Sequence, residues 1–242
     1  MSDRTSCGGL FQRRLCLVPT WRGWLVLVVT AGLGFYVWLR TVHGFLAVTA
    51  LVPAEVLVVE GWATDFQMQE ALAENRRSQY AALYVTGGPI ETGSPFVESR
   101  SYAEFGAERL RRLIAHLPRN EGPPPGAAAR RDATNLVAVP APAVRQDRTF
   151  NGAVALREWL RQRGSLPRGI NIVSGGAHAR RTRLLYEKAF GPGVAVGIRA
   201  APDERYDAAH WWQSSQGVRT VIDEFVAYLY ARLAFWPPAP AA

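Results

Sequence analysis

The strongest fold signal in the chain is INIVSGGAHARRTRLLYEKAFG, residues 170–191, where an apolar run leads through a Ser-Gly-Gly turn into a helical segment. A run such as INIV, apolar at three of its four positions, is typical of a strand covered by helices on both faces, as in a parallel sheet. Open parallel sheets bind ligands beyond the carboxyl ends of their strands. The stretch therefore predicts a strand, a helix over 177–190 and a binding site at the turn, with a solvated helix start as the alternative.

The chain after Pro53 alternates short apolar runs with longer periodic segments. This alternation predicts an α/β fold: a Rossmann-like three-layer domain with a mostly parallel sheet of about five strands, behind one N-terminal transmembrane helix. The predicted strands are 56–60, 81–86, 135–140, 170–174 and 194–198. The predicted helices begin at Asp65, run from Ser99 or Ser101 to about His116, and cover 149–163, 177–190 and 216–235.

An uncharged run of 17 residues, GWLVLVVTAGLGFYVWL, lies between Arg22 and Arg40. As a helix it is about 25 Å long, which just spans a bilayer, and its ends carry the Trp and Tyr rings that favour the headgroup level. The arginines before it place the N-terminus in the cytoplasm by the positive-inside rule. We therefore expect a single-pass protein of the cytoplasmic (inner) membrane with its α/β domain on the outer or periplasmic side. A buried core helix and a cleaved signal peptide are the alternatives.

The predicted organisation has five parts. A cytoplasmic tail over 1–22 is followed by the transmembrane helix 23–40, a juxtamembrane linker 41–53, the α/β domain 54–236 and a disordered tail 237–242. The segment 118–134 is rich in Pro, Gly and Ala, and we expect a flexible loop there rather than a domain boundary, because a strand follows it directly.

Charge and cysteine content narrow the class of partner. The net charge of +8 alone suggests nucleic acid, a membrane surface or phosphorylated ligands, but Lys188 is the only lysine, so a general arginine bias accounts for part of it. No segment interleaves basic residues with exposed aromatics, which argues against nucleic acid. Cys7 and Cys16 precede the apolar run, so the domain contains no disulfide and no cysteine-based metal site. The sequence leaves the cofactor and any protein partners open.

Polar residues follow four of the predicted strands. They are Glu60-Gly61-Trp62, Thr86-Gly87-Gly88-Pro89, the loop 145–149 and Ser174-Gly175-Gly176-Ala177-His178. Glycines allow a backbone to approach an anion closely, and a helix N-terminus attracts it. Arg180, Arg181 and Arg183 follow at once, where cations oppose the helix dipole. We therefore expect these arginines to bind an anionic ligand or an internal acid such as Asp147 or Glu60. The alternative is that their side chains simply point to water.

The motif SGGAHARR resembles the YdcF-like family of bacterial envelope proteins, which includes SanA and ElyC. The family motif is Ser or Thr, three residues, His, two residues and Arg, matched by Ser174, His178 and Arg181. The resemblance runs from Val56 to about Leu233 and is closest to a membrane-anchored subgroup. It also takes in Gly61, Gly87, Gly88, Asp147, Thr149 and Glu224.

Two positions depart from the family pattern. Tyr102 stands where the family has Glu, and Asn151-Gly152 stands where it has Glu-Asn. Glu60, Glu98 or Asn151 are the candidates to replace the missing groups. The resemblance implies a Rossmann-like domain behind a membrane helix, with a role in envelope integrity and in peptidoglycan or lipid-carrier metabolism. It also connects one member with S-adenosylmethionine.

Two functions follow as hypotheses. The first is a hydrolase- or transferase-type enzyme acting on a phosphorylated or lipid-linked envelope precursor, with catalytic residues His178, Asp147 and Glu60. The second is a non-catalytic binding or scaffolding module at the membrane, or a binder of nucleotide or S-adenosylmethionine. No metal-ligand spacing is present. The predicted ligand- or phosphate-binding residues are Gly61, Thr86, Gly87, Gly88, Arg148, Thr149, Asn151, Ser174, Gly175, Gly176, Arg180 and Arg181.

Overall fold

The computed structural model describes residues 5–6, 11–12, 19–78, 80–90, 99–116, 135–164 and 166–237. The predicted loop 118–134, Glu98 and most of the two predicted tails lie outside these residues. The chain divides into two compact units, Met1–Arg40 and Thr41–Ala242.

The first unit contains most of one long helix. This helix, α1, runs over Trp21–Leu46 and begins after a two-residue antiparallel pairing of Thr5–Ser6 with Phe11–Gln12. Its most apolar window has a mean hydropathy of 1.8, and large side chains such as Val28 and Leu33 are exposed. By length and composition α1 is able to cross a membrane.

The second unit is built on a five-stranded sheet in which all neighbouring strands are parallel. In chain order the strands are β1 (Val56–Glu60), β2 (Ala82–Gly87), β3 (Leu136–Pro140), β4 (Gly169–Gly175) and β5 (Ala195–Ala201). Their order across the sheet is β3-β2-β1-β4-β5. The predicted α/β fold class and its five strands are confirmed.

Five helices accompany this sheet: the first four cover its two faces, and the last packs against the fourth. They are α2 (Asp65–Ser78), α3 (Tyr102–His116), α4 (Arg148–Gln162), α5 (Ala179–Phe190) and α6 (Ser215–Leu233). Successive side chains of a strand point to opposite faces. Val56 and Val58 accordingly join the core with α4 and α5, whereas Leu57 and Val59 join the core with α2 and α3.

Side-chain capping hydrogen bonds determine where two of these helices begin. At α3, the Glu104 amide donates to Ser101 Oγ at 3.2 Å, and the Ser101 amide donates to Glu104 Oε2 at 3.1 Å. This reciprocal capping box places the first turn after Ser101. At α6, the Gly217 amide donates to Ser214 Oγ at 3.0 Å. The predicted start at residue 177 differs: a 3-10 turn over Gly176–His178 precedes α5.

The predicted linker 41–53 is the main difference between the predicted and observed organisation. α1 continues to Leu46, and Val42 and Leu46 are buried. Ala50 then pairs with Ile198 beside β5. Asn171 of β4 holds both the amide and the carbonyl of Val52, at 3.0 and 2.8 Å. The segment is part of the second unit, because its apolar side chains and backbone groups find their partners there.

Candidate functional site

A cavity of about 440 Å³ opens at the carboxyl edge of the sheet. It lies where β3, β2, β1 and β4 end, which is the expected ligand position in an open parallel sheet. Its volume falls in the range of small-molecule sites. The lining residues are Trp62, Gly88, Pro89, Tyr102, Ala141, Pro142, Val144, Arg145, Asp147, Arg148, Thr149, His178 and Arg181.

His178 and Arg181 form one wall of the cavity and belong to a cluster of four charged side chains. Glu224 of α6 accepts from Arg181 Nε at 2.8 Å and from Arg181 Nη2 at 3.0 Å, a bidentate pair. Its Oε1 also lies 2.8 Å from Nδ1 of His178. The three side chains are 16–22% exposed. Charge-assisted bonds of this geometry are among the stronger polar contacts in proteins, so they tie the start of α5 to α6.

Glu60, the last residue of β1, is the fourth member of this cluster. Its side chain is 3% exposed, and its Oε1 lies 3.5 Å from Nε2 of His178. Ser174 Oγ donates to its other oxygen at 2.9 Å. Glu60 Oε1 and His178 Nε2 are both buried, and neither makes a hydrogen bond of good geometry with any described residue. The imidazole is thus held between two carboxylates, with neither ring nitrogen presented to the cavity.

These contacts shift two pKa values in opposite directions. Burial alone lowers the pKa of His178, but the carboxylates of Glu60 and Glu224 outweigh it and raise that pKa to about 9. Burial alone raises the pKa of Glu224, but His178 and Arg181 outweigh it and lower that pKa to about 2. At neutral pH His178 is therefore a cation in this cluster, which makes it unsuited to act as a general base.

We predict a stability plateau for this cluster between about pH 4.5 and 6.5. The raised pKa of His178 contributes stability to the folded state; this contribution is fully present below pH 6.5 and is lost as the pH rises toward 9. The lowered pKa of Glu224 contributes stability that is fully present above pH 4.5 and is lost as the pH falls toward 2. Melting temperatures of wild type and Glu224→Gln from pH 3 to 9 measure this. The gap between the two proteins should be widest on the plateau; a gap that does not change with pH would contradict the prediction.

The opposite wall is the loop from β3 into α4. Arg145 and Arg148 are exposed side chains that line the cavity. Asp147, between them, has φ 54° and ψ 40°, in the left-handed region, which Asp tolerates better than most residues. Asn151 Nδ2 donates to the Asp147 carbonyl at 3.0 Å. Asn151 therefore holds the loop rather than lining the cavity.

The structure brings six of the predicted site residues to the cavity and places the others elsewhere. Those at the cavity are Gly88, Asp147, Arg148, Thr149, His178 and Arg181. Glu60 and Ser174 lie beneath it, in contact with the charged cluster. Thr86 is buried, and its hydroxyl meets the Tyr186 hydroxyl at 3.0 Å. Arg180 turns the other way and donates to the Phe45 carbonyl, with its guanidinium 4.0 Å from the Phe45 ring centroid.

Four predicted phosphate-binding glycines face protein rather than the cavity. A Cβ on Gly61 or on Gly87 would overlap the first residues of α3. A Cβ on Gly175 would overlap the Gln67 side chain, and one on Gly176 would meet Asp203 and Tyr206. Gly61, Gly87 and Gly175 thus permit close packing of neighbouring elements. Of the glycines predicted, Gly88 is the one that lines the cavity.

Glu224 is the most important residue absent from the predicted site. It belongs to the family resemblance, but its place between His178 and Arg181 was not expected. The signal was its spacing: Gly217, Val221 and Ala231 are the buried residues of α6, and Glu224 falls on the same helical face. An acid on an apolar face needs a cation partner. Trp62, Tyr102 and Arg145 line the cavity although they are not among the predicted binding residues; Trp62 and Arg145 belong to the polar strand ends from which the site was predicted.

Comparisons with known proteins add no family assignment. No family model matches the chain, and no curated protein matches it with significant similarity. Among the described residues, no group of three or more His, Cys, Asp or Glu side chains is placed to hold a metal ion. The function is therefore inferred from the geometry of the cavity.

Proposed function

We propose that this protein binds a phosphorylated ligand in the cavity at the carboxyl edge of its sheet. The observation that carries the proposal is the lining: the exposed Arg145 and Arg148 line the cavity beside the first turn of α4, and Arg181 lines it from α5. Arginine is suited to phosphate because its planar fork donates two parallel hydrogen bonds. The first turn of α4 adds backbone donors at the same edge.

The wider role that we propose is that of a membrane-anchored YdcF-like protein of the bacterial cell envelope. The supporting observations are the proximity of His178, Arg181 and Glu224, all members of the family resemblance, and a helix α1 that is long and apolar enough to span a membrane. In this proposal the α/β unit lies outside the cytoplasmic membrane, where its ligand is an anionic or lipid-linked envelope precursor.

Binding without catalysis is the form of the proposal that the site favours. His178 uses Nδ1 toward Glu224, and its Nε2 is buried toward Glu60, so a reacting group in the cavity meets neither nitrogen. One observation favours a second candidate, a hydrolase or transferase: Asp147 lines the cavity in a left-handed backbone conformation, and strained residues concentrate at functional sites. Release of phosphate that is lost in Asp147→Asn, with binding intact, would establish the enzyme.

Replacing Arg148 by Gln tests the anion site. Loss of a charge-assisted hydrogen bond weakens binding by about tenfold or more. A ligand present at about 100 times its dissociation constant stabilises wild type by about 2.7 kcal/mol, and after a tenfold loss of affinity it stabilises by about 1.4 kcal/mol. Thermal melts of full-length protein with a phosphorylated ligand measure the difference.

Arg161→Gln is the matched control for this test. Arg161 lies near the other end of α4, where it pairs with Glu158 and does not line the cavity. The ligand should raise the melting temperature of this variant as much as it raises that of wild type. Equal shifts in Arg148→Gln and Arg161→Gln would contradict an anion site at the start of α4.

The proposed topology predicts the side of the membrane that the C-terminus reaches. An alkaline phosphatase domain fused after Ala242 should be active in a bacterial host, because that enzyme requires export to fold. A green fluorescent protein at the same position should stay dark. Fluorescence together with inactive phosphatase would place the α/β unit in the cytoplasm and overturn the topology.

A further inference from the structure

The two ends of the cavity differ in charge. The strand order β3-β2-β1-β4 puts the loop into α4 at one end and the turn before α5 at the other. Three strand spacings separate these ends, a width of about 14 Å. The ends of β1 and β2 lie between them, so the cavity is an elongated site with distinguishable halves.

The end at α4 carries an excess of positive charge. Among the described residues that line this end of the cavity, Arg145 and Arg148 are cations and Asp147 is an acid, so these three side chains carry one net positive charge. The helix dipole adds to it. This end suits the most strongly charged part of a ligand.

The end at α5 is charge-balanced and still offers a hydrogen-bond donor. His178 and Arg181 are matched by Glu60 and Glu224, two cations against two anions. Arg181 spends Nε and Nη2 on Glu224, and its Nη1 makes no hydrogen bond with a described residue. Arg181 lines the cavity and is 22% exposed. This end therefore suits a neutral polar group, because a second anion there would face the two carboxylates.

The middle of the cavity is aromatic and apolar. Trp62, from the end of β1, is 38% exposed and lines the cavity with Tyr102 and Pro89. An edge-on contact with His178, at 6.3 Å between ring centroids, fixes one side of the indole. An indole in such a position provides a flat surface on which a sugar or base ring stacks.

We infer that the ligand is an organic phosphate whose phosphate is joined to a hydroxylated ring directly or through one methylene group. The phosphate lies against Arg145 and Arg148, the ring stacks on Trp62, and ring hydroxyls accept from Arg181 Nη1. This inference rests on the proposed anion-binding function and narrows its ligand class. A phosphate on a long apolar chain fits less well, since it would cover Arg181 Nη1 without giving it a partner. Sugar phosphates and nucleoside phosphates share the required chemistry.

The test compares four ligands on one protein. Full-length protein in lipid nanodiscs is titrated calorimetrically with inorganic phosphate, N-acetylglucosamine 1-phosphate, uridine 5′-monophosphate and farnesyl phosphate. We expect at least one ring phosphate to bind about tenfold or more tightly than inorganic phosphate and farnesyl phosphate. The two ring phosphates then identify the source of the ring, because the tighter of them indicates a sugar or a nucleoside.

Variants of Trp62 assign this preference to the stacking surface. Trp62→Leu should lose the tenfold preference while its affinity for inorganic phosphate stays within about twofold, and Trp62→Phe should keep most of it. Trp236→Leu removes an exposed tryptophan that does not line this cavity and should behave as wild type. A preference that survives in Trp62→Leu would overturn the inferred orientation.

The outcomes separate this inference from the proposed function. Equal affinity for inorganic phosphate and the ring phosphates would overturn the ring and leave the anion site standing. Tighter binding of farnesyl phosphate would also overturn the ring, in favour of an apolar chain. Binding of none of the four ligands would overturn both the ring and the anion site.

Discussion

Replacing Gly61 by alanine is expected to destabilise the α/β unit by about 3 kcal/mol or more. The new Cβ would overlap the carbonyl oxygen of Tyr102 and lie 2.5 Å from its carbonyl carbon. Both are backbone atoms at the start of α3, so no side-chain rotation relieves the clash. Overpacking usually costs about 1–3 kcal/mol and occasionally more, and a clash with backbone belongs at the upper end of this range. For a unit of this size the melting temperature should fall by about 6–12 °C.

Gly193→Ala is the matched control for Gly61→Ala. A Cβ on Gly193 meets nothing within 4 Å, so this variant should melt at or slightly above the wild-type temperature. Wild-type melting of Gly61→Ala would show that α3 does not abut β1. It would also return Gly61 to the role predicted from sequence, that of admitting a phosphate.

Replacing Glu224 by alanine should cost about 3 kcal/mol, again a fall of about 6–12 °C in melting temperature. The change leaves Arg181 and the cationic His178 side by side, with Arg181 Nη2 only 2.9 Å from His178 Nδ1. Uncompensated charges in a largely buried cluster are strongly destabilising. Thermal melts at about pH 6, inside the predicted plateau, give the largest difference.

Two variants on the same helix sharpen the Glu224 prediction. Asp223→Ala removes the neighbouring acid, which is exposed, and should change stability by less than about 0.5 kcal/mol. Glu224→Gln keeps the shape and an acceptor oxygen but removes the charge. Its loss of stability should therefore lie between those of Asp223→Ala and Glu224→Ala. Equal effects of Asp223→Ala and Glu224→Ala would mean that the cluster does not stabilise the fold.

Strands and helices were predictable because their signals are local. VLVV is apolar at every position and INIV at three of its four positions, and both became interior strands of the parallel sheet. The observed strand ends differ from the predicted ones by up to three residues, since strand ends depend on pairing: Arg199, Ala200 and Ala201 join β5 because β4 continues opposite them to Gly175. The packing of residues 41–53 was unpredictable for a similar reason, because Asn171 reaches Val52 across 119 positions of sequence.

The site was less predictable because its roles depend on contacts between distant segments. Gly61 and Gly87 have the composition of a phosphate loop, but α3 occupies the space beside them. Successive residues of a helix point about 100° apart. Arg180 therefore turns toward Phe45, whereas Arg181 turns toward Glu224. The sequence indicated that these cations need an acid or an anion; the main acid was Glu224, rather than the expected Asp147 or Glu60.

The most direct test of the central claim is protection of individual arginines from chemical modification. Full-length protein is treated with phenylglyoxal, with and without a saturating phosphorylated ligand, and modification is followed by peptide mass spectrometry. We predict that modification of Arg145 and Arg148 slows severalfold with ligand, whereas that of Arg112, which is 74% exposed on α3, does not change. Unchanged rates at Arg145 and Arg148, in protein that a melt shows to be saturated, would place the ligand elsewhere and contradict the account.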